Sequence, residues 1–573
     1  MTPEVYAPRE VLSALRTSLG TPQDVDLALM IERVAASSTP NKIALKLLAD
    51  TPQREELGQA WVYRDEWFPG ARGTRFSHYF QTLKAALDGA ERGGRAGILR
   101  LQLLRAVVAP TGAREQLVLL KFIIAPEYAL TGTLLEHVYG CPLSVFYSEF
   151  VGVAFDPRRA PSSPEWTRGN AIHAGYRAAA DTYIRSRDRE RATAAYLEAV
   201  RESWVADFAS LLMDRPKTGP KKLHTVPIES AASVVDRCVE RWAGDETIEL
   251  LQERMVYASK RGLSGRLDRF ERRRGATGPV IHLTEIKTGG SFGSERDPVT
   301  GIHHAGGMQA LAYRELIASD LDADAGVETW IEELDSEQTI ALDAHPVVTR
   351  GTAGPQRQEI DILAQSRNVG YVAGSGLLTG YDRQHLDGLG RRSRHIGTLG
   401  GDWNLYASHA PCQLCAARAR GICAVAKPET PFQIDNLFSY APEELFSYWA
   451  WFHRQLQDEA RRSREWLYHL ATSPVHQLER MEGVTISGLT VAGVAGRSVT
   501  LHRETPIETR MREDDRVLLS LATMRPGDAR SVEGRIARVS EHRVELRLRD
   551  VIPDTRATYR IHDLSQHGMP GWQ

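Results

Sequence analysis

The sequence predicts a multidomain α/β protein with a sheet-and-helix core and a separate small β-barrel. Its 573 residues are enough for roughly three or four domains. Strand-like and helix-like runs alternate through the middle of the chain, whereas short alternating runs dominate after residue 483. We divide the chain into an accessory α+β region (1–130), a central domain (131–430), a helical linker (431–482) and the barrel (483–573).

Composition places the chain among ordinary globular proteins, with 42% hydrophobic and 25% charged residues. The formal net charge of −2 gives no global basic field, so any nucleic-acid binding must come from local patches. No apolar run approaches the ~20 residues of a membrane span, and the N-terminus lacks signal-peptide features. Five cysteines in this length favour a reducing cytoplasm and argue against a disulfide framework.

The accessory region contains no recognisable catalytic motif. Apolar periodicity predicts short helices over Asp24–Ala36 and Lys42–Leu48. Gly97–Val108 and Gln116–Ile124 are predicted to be two strands joined by a turn.

A predicted hairpin organises the central domain. Its strands are Gly265–Phe270 and Val280–Gly289, and the turn between them, Glu271–Pro279, is rich in arginine and glycine.

Three polar residues of this hairpin are expected to converge. Side chains alternate along a strand, so Glu285 and Lys287 share a face, and Asp268 lies on the neighbouring strand. Carboxylate oxygens suit Mg²⁺, and a lysine beside such an ion orients or deprotonates a water. The same pattern also fits an exposed hairpin with an ion pair.

Further candidates lie on predicted flanking elements. His173 lies near the start of a predicted helix that runs to Ile184, and Glu253 lies on a predicted strand before the hairpin. Gln309 and Tyr313, four residues apart on a predicted helix, share one face. Other predicted elements are the strands Val327–Ile331 and Gln338–Asp343 and the helix Glu359–Arg367, with Arg367 and Asn368 at its end.

Four of the five cysteines are candidates for a closed S₄ metal site. Cys412, Cys415 and Cys423 fall within twelve residues, and Cys141 lies far upstream in a Cys-Pro pair. Both Zn²⁺ and a [4Fe-4S] cluster accept such ligation. Cys238 has no ligand-spaced neighbour and is predicted to be structural.

Taken in order, these motifs resemble the RecB-like PD-(D/E)XK nucleases that carry an iron–sulfur cluster. The order is Cys-Pro, Gly-x-x-x-His, Gly-x-x-Asp, Glu-x-Lys-Thr-Gly, Gln-x-x-x-Tyr and Cys-x₂-Cys-x₇-Cys, over about residues 131 to 430. The group includes AddB, the CRISPR-associated adaptation nucleases and the nuclease part of Okazaki-fragment nuclease–helicases. The resemblance implies a restriction-endonuclease-like core and a deoxyribonuclease, most often an exonuclease on single-stranded DNA.

The resemblance also implies roles for individual residues. A Mg²⁺ or Mn²⁺ ion would be held by His173, Asp268, Glu285 and the Ile286 backbone carbonyl, with Lys287 catalytic and Gln309 and Tyr313 lining the site. A [4Fe-4S] cluster, or Zn²⁺ as the alternative, would be held by Cys141, Cys412, Cys415 and Cys423. Phosphate contacts are expected from Arg269, Arg272, Arg273, Arg391 and Arg392.

The rest of the chain bears on the partner. No Gly-x-x-x-x-Gly-Lys-Ser/Thr motif occurs, so a separate helicase or translocase is expected to supply the DNA strand, in repair, recombination or anti-phage defence. The alternative is a non-catalytic DNA-binding or scaffold subunit. After a helical stretch, five predicted strands form the barrel: Val484–Val491, Ser498–Arg503, Arg516–Leu521, Ser531–Val539 and Arg543–Arg549.

The cysteine spacing predicts the colour and the metal content of the purified protein. Purified protein should be brown, with visible absorption that dithionite bleaches, because thiolate-bound iron–sulfur clusters are coloured and redox-active. Absorption spectra and metal analysis check this. A colourless protein with stoichiometric zinc would contradict it.

Overall fold

The structure is a computed structural model, and only part of the chain is described here. The described residues are 8–51, 53–63, 77–92, 98–111, 114–140, 145, 164–213, 227–244, 247–275, 278–287, 307–318, 326–333, 339–341, 355–375, 464–473, 477–478, 484–528, 530–552 and 554–564. Cys141, Cys412, Cys415, Cys423, Arg391 and Arg392 lie outside them, as does most of the predicted linker. Among the described residues, no helix is both long and apolar enough to cross a membrane.

The N-terminal region forms a closed five-stranded barrel with strand order β1-β2-β3-β5-β4. Its elements are α1 (Pro8–Thr17), β1 (Gln23–Arg33), β2 (Lys42–Ala49), β3 (Glu56–Tyr63), α2 (Ser77–Arg92), β4 (Leu99–Thr111) and β5 (Arg114–Ile124). The two predicted strands before residue 125 are confirmed as β4 and β5.

The predicted helices over Asp24–Ala36 and Lys42–Leu48 are wrong. These segments are β1 and β2, paired antiparallel with Leu29 opposite Ala49. In β1 the buried residues recur at every second position, as Leu27, Leu29 and Ile31, and they pack in the barrel interior with Ile43, Leu45 and Leu47 of β2. Short apolar runs fit both periods, and the barrel's long-range pairing decides between them.

The central domain is built on a mixed six-stranded sheet. Its strands are β6 (Leu130–Thr131), β7 (Thr247–Ala258), β8 (Leu263–Gly275), β9 (Gly278–Lys287), β10 (Gly326–Glu333) and β11 (Thr339–Ala341). Its helices are α3 (Gly132–Gly140), α4 (Pro164–Ser186), α5 (Arg189–Met213), α6 (Ala231–Arg241), α7 (Gly307–Ala318) and α8 (Pro355–Gly374). The predicted hairpin is confirmed, but its turn is shorter than expected, since both strands extend into Glu271–Pro279.

Helices cover both faces of this sheet. On one face, α7 packs through Met308 and Leu316 against Leu283 of β9. Because β9 and β10 are parallel, α7 is the crossover that connects them. On the other face, α4, α5 and α6 form a second core with Ile286 of β9, and Cys238 is buried there.

Along one of its edges, strand β8 pairs first with β6 and then with β9, and a gap in the sheet lies between these two partners. Throughout its length it pairs with β7. On its other edge, Leu263 and Ser264 pair with β6, whereas the stretch from Arg269 onward pairs with β9. Residues 265–268 lie between these two ladders.

Helix α8 joins the first barrel to the sheet. The Arg367 guanidinium donates to the backbone carbonyls of Ile124, Ala125 and Tyr128, and more weakly to that of Gly262 at the start of β8. Asn368 accepts from the Ile124 amide and donates to the Phe122 carbonyl. Both residues lie inside α8 and not at its end, because the helix continues to Gly374.

The C-terminal region forms a second closed barrel, with strand order β12-β13-β16-β15-β14-β17. Its strands are β12 (Thr485–Ala495), β13 (Ser498–His502), β14 (Arg516–Leu521), β15 (Val532–Val539), β16 (Arg543–Leu548) and β17 (Thr558–Asp563). The five predicted strands are confirmed, and β17 is a sixth that the sequence analysis missed. A helix over 464–472 precedes the barrel.

This barrel docks on the elements that carry the candidate site. Asp550 accepts from Arg177 of α4 at 2.6 Å and lies 3.5 Å from Arg254 of β7. Arg530 donates to both carboxylate oxygens of Glu249, each at 2.6 Å. The second barrel is therefore attached to both α4 and β7.

A buried histidine makes the second barrel sensitive to acid. Burial, with the nearby Arg560 charge, lowers the pKa of His562 to about 3, against about 6.5 unfolded. The folded state disfavours protonation of His562. The contribution of the neutral imidazole to the free energy of unfolding is therefore fully present above about pH 6.5. It is lost as the pH falls towards 3, by up to about 1.4 kcal/mol per pH unit.

We therefore expect the protection factors of the β12 and β17 amides, which are corrected for the slower intrinsic exchange at lower pH, to fall on mild acidification. His562→Asn should weaken this response, since Asn can still bond Thr485, the 3.1 Å partner of the imidazole, without titrating. His502→Asn, at a partly exposed position, is the matched control. An equal loss of protection in wild type and His562→Asn would contradict the assignment.

Candidate active site

Asp268 lies in the opening between the β6 and β9 ladders. Its Oδ2 accepts a hydrogen bond from the Ile286 backbone amide at 2.7 Å. Asp268 thus bonds to β9 just beyond the Arg269–Thr284 pair, the last rung of that ladder. The carboxylate takes the place of a backbone acceptor and fixes Asp268 next to Glu285.

Three potential ligand residues gather beside this bond. The ligand atoms of His173, Glu253 and Asp268 all lie within 4.8 Å of one another. His173 Nδ1 is 3.3 Å from Glu253 Oε1 and 4.0 Å from Asp268 Oδ1. Helix α4 supplies the histidine, and β7 and β8 supply the carboxylates, so three elements build the cluster.

The backbone is strained at this position. Glu253 has φ +54°, a left-handed conformation that is uncommon for a non-glycine residue. On β8, Leu267 and Phe270 pack in the same core, so strict alternation breaks at Asp268 and Arg269. Such conformations cost about 1–3 kcal/mol and cluster at functional sites.

Glu285 and Lys287 complete the site from β9. The Lys287 ammonium donates to Glu285 Oε1 at 2.5 Å and to Gln309 Oε1 at 2.9 Å. Gln309 in turn donates to the Tyr313 hydroxyl at 2.7 Å. The residues of the predicted Glu-x-Lys and Gln-x-x-x-Tyr motifs therefore form one hydrogen-bonded chain.

Two glycines allow α7 to approach closely enough for that chain. A Cβ on Gly265 would lie 2.6 Å from a Tyr313 ring carbon and 2.9 Å from a Leu316 methyl. A Cβ on Gly132, at the start of α3, would lie 3.0 Å from both Gln309 and Tyr313. The glycine of Gly-x-x-Asp thus serves helix packing.

Burial and neighbouring charges shift the pKa values of the acidic residues and the histidine in this cluster. Burial, followed by the Asp268 charge, raises the pKa of Glu285 to about 8. Burial also raises the pKa of Asp268, and the Glu253 charge adds to it. Burial lowers the pKa of His173, but the Asp268 and Glu253 charges outweigh it, so that pKa is raised.

The donor set fits a hard divalent cation. Glu285 is 2% exposed, and its Oε2 is buried with no hydrogen-bond partner in the described part of the chain. Several carboxylates, one imidazole and one orphaned oxygen suit Mg²⁺ or Mn²⁺, which would relieve the mutual repulsion of the acids. Ile286 contributes its amide to Asp268, and metal binding by its carbonyl stays a prediction.

One predicted DNA contact is wrong. Arg269 is fully buried, where it contacts the Tyr176 hydroxyl and lies 3.0 Å from Glu271. Arg273 also bonds Glu271, at 2.7 Å, and is 20% exposed. Arg272 is partly exposed, so its phosphate contact stays a prediction.

Two neighbours of the site, Glu136 and Arg266, carry no motif that predicts a role for them. The Glu136 carboxylate of α3 accepts a hydrogen bond from the Gln309 backbone amide at 3.1 Å, and the Glu136 charge helps to raise the pKa of Lys287. Arg266 lies 2.7 Å from Glu253 Oε2 and holds that carboxylate from the solvent side. Arg266 lies inside Gly-x-x-Asp, but spacing alone does not distinguish such a residue from any exposed arginine.

Gly265→Ala should destabilise the central domain by about 1–3 kcal/mol, because the new methyl group must displace Tyr313. Unfolding in urea, followed by tyrosine and tryptophan fluorescence, measures the loss. Gly493→Ala is the matched control, since a Cβ there meets nothing within 4 Å. Equal midpoints for the two variants would show that α7 does not depend on this contact.

The comparisons with known proteins add no relative. No family model matches the chain, and no curated protein matches it. The case for a function therefore depends on the geometry of His173, Glu253, Asp268, Glu285 and Lys287.

Proposed function

We propose that the chain is a metal-dependent deoxyribonuclease of the RecB-like PD-(D/E)XK type, with the mixed sheet as its restriction-endonuclease-like core. The observation that carries the proposal is the convergence of His173, Glu253 and Asp268 within 4.8 Å, beside the 2.5 Å pair of Glu285 and Lys287. An exposed hairpin with an ion pair does not account for it, because Glu285 is 2% exposed.

The residues of the site have separable tasks. His173, Glu253, Asp268 and Glu285 would hold the cation, which when bound polarises a phosphate and lowers the pKa of water. Lys287 is fixed by Glu285 and Gln309, so its remaining N–H can orient a water and offset charge that develops on the phosphate. Burial lowers the pKa of Lys287, but the Glu285 charge outweighs burial and the pKa is raised, which favours the charged ammonium before a cation binds.

The substrate and partner follow from the resemblance to RecB-like nucleases. We propose single-stranded DNA as the substrate, supplied by a separate helicase or translocase. A [4Fe-4S] cluster on Cys141, Cys412, Cys415 and Cys423 would tie together the ends of residues 131–430, in a loop that is costly to close otherwise.

Asp268→Asn and Lys287→Ala should each abolish most cleavage of end-labelled single-stranded DNA with Mn²⁺. Removing one preorganised donor typically costs ~10²–10³ in rate, which sets the expectation for Lys287→Ala. Asp268→Asn should also weaken Mn²⁺ binding measured by calorimetry, because an amide is a poorer ligand than a carboxylate.

Asp236→Asn and Lys84→Ala are the matched controls, since these residues are about half exposed on α6 and α2. Cleavage that survives both site substitutions would refute the proposed site. DNA binding by a wild type that cuts nothing with either metal would indicate the non-catalytic subunit instead.

A further inference from the structure

The first barrel has an architecture that the sequence did not predict. Its five strands close in the order β1-β2-β3-β5-β4, β3 runs parallel to β5 with Trp61 opposite Val118, and α2 connects β3 to β4. A five-stranded Greek-key barrel of this kind is the OB fold, whose β2–β3 face binds oligonucleotides or oligosaccharides. A fold alone does not assign a function, so the chemistry of that face has to decide.

The inner face of β2 and β3 is apolar, whereas the outer face carries charged, polar and aromatic side chains together with the buried Ala44. Ile43, Leu45, Leu47, Ala60 and Val62 fill the barrel core. The alternate positions therefore face outward, and the register pairs them across the two strands. Lys42 lies opposite Tyr63, Ala44 opposite Trp61, and Lys46 opposite Gln59.

Two aromatic side chains stand on this outer face. Trp61 and Tyr63 are partly exposed and lie two residues apart, about 7 Å along the strand. The Tyr63 hydroxyl donates to Gln116 Oε1 at 2.9 Å, and its ring packs beside Val107 and Val118. These contacts orient the Tyr63 ring before any ligand binds.

Two lysines flank the aromatic pair. Lys42 and Lys46 lie four residues apart on β2, about 13 Å along the strand, on the same face as the rings. Lys46 pairs with Glu56 at 2.9 Å and lies opposite Glu32 of β1. The Lys46 and Glu56 side chains are 35% and 54% exposed, and such surface pairs are weak, so a phosphate can compete for the ammonium. Alternating rings and cations are the pattern that binds single strands.

We propose that the β2–β3 face of the first barrel binds single-stranded nucleic acid, with bases stacked on Trp61 and Tyr63 and phosphates at Lys42 and Lys46. Single strands are favoured over duplexes, because bases within a duplex already stack on one another. This face shares no residue with the acidic cluster of the sheet. It would add a binding step to the proposed nuclease and does not require that activity.

The test is fluorescence anisotropy of the full-length protein with a labelled thymidine homopolymer, in EDTA, over a series of NaCl concentrations. Trp61→Ala should bind about tenfold more weakly or worse, with an unchanged salt slope, because stacking is lost and charge is kept. Lys42→Gln combined with Lys46→Gln should reduce the slope of log K against log salt by about 1.4, the contribution of two phosphate contacts.

Lys84→Gln on α2 is the charge control and should bind as wild type does. Trp61→Phe keeps an aromatic ring and should retain most of the affinity, which separates stacking from a folding defect. If all these variants bind with wild-type affinity and slope, the proposal is overturned. Tighter binding of duplex, or binding of a neutral oligosaccharide in place of the homopolymer, also overturns it. Because EDTA prevents metal-dependent cleavage, these outcomes are independent of whether Asp268→Asn abolishes cutting.

Discussion

The candidate site depends on one hydrogen bond, from the Ile286 amide to the Asp268 carboxylate. Strand β8 has left β6 and has not yet joined β9 where Asp268 occurs. A backbone amide of β9 would otherwise lack an acceptor there, and a buried unpaired amide is costly. The side chain of Asp268 meets that need, and in doing so brings a buried carboxylate to Glu285.

Charge balance distinguishes the cluster around Glu285 of β9 from the cluster around Glu271 of the adjacent strand β8. Glu271 is buried like Glu285, but Arg269, Arg241 and Arg273 surround it. Burial opposes ionisation of Glu271, yet these arginines lower its pKa to about 2, whereas the pKa of Glu285 rises to about 8. The Glu271 cluster is neutralised within the protein, and the Glu285 cluster is not. Only the Glu285 cluster therefore has a physical reason to recruit a cation.

Local patterns predicted the site better than they predicted the domains around it. Alternation along β9 predicted that Glu285 and Lys287 share a face, and the four-residue spacing on α7 predicted the same for Gln309 and Tyr313. Both predictions were possible because each spacing lies within one element. The convergence of β7, β8 and α4 depends on tertiary contacts, so the role of Glu136 and the burial of Arg269 were not predictable.

The N-terminal barrel shows the same limit more clearly. Its β1 and β2 carry runs of apolar residues that satisfy a helical period as well as an alternating one. Pairing with strands up to about eighty residues away settles the choice, as in Gln23 opposite Ala106. The sixth strand of the second barrel, β17, was missed because only Tyr559 and Ile561 carry its apolar alternation, and the buried residues after them, His562 and Asp563, are polar.

The position of Arg367 has a consequence for anyone who shortens this chain. Its guanidinium is fully buried and donates mainly to carbonyls at and just after the end of the first barrel. Within the described residues, the side chain of Asn368 bonds to backbone groups of that barrel. Removing the first 125 residues would take away the Ile124 and Ala125 carbonyls that accept from Arg367, and both backbone partners of Asn368. Leaving buried polar groups without their partners is costly. The first 125 residues are therefore not a detachable domain, and a fragment that begins at the central domain would need both α8 residues redesigned.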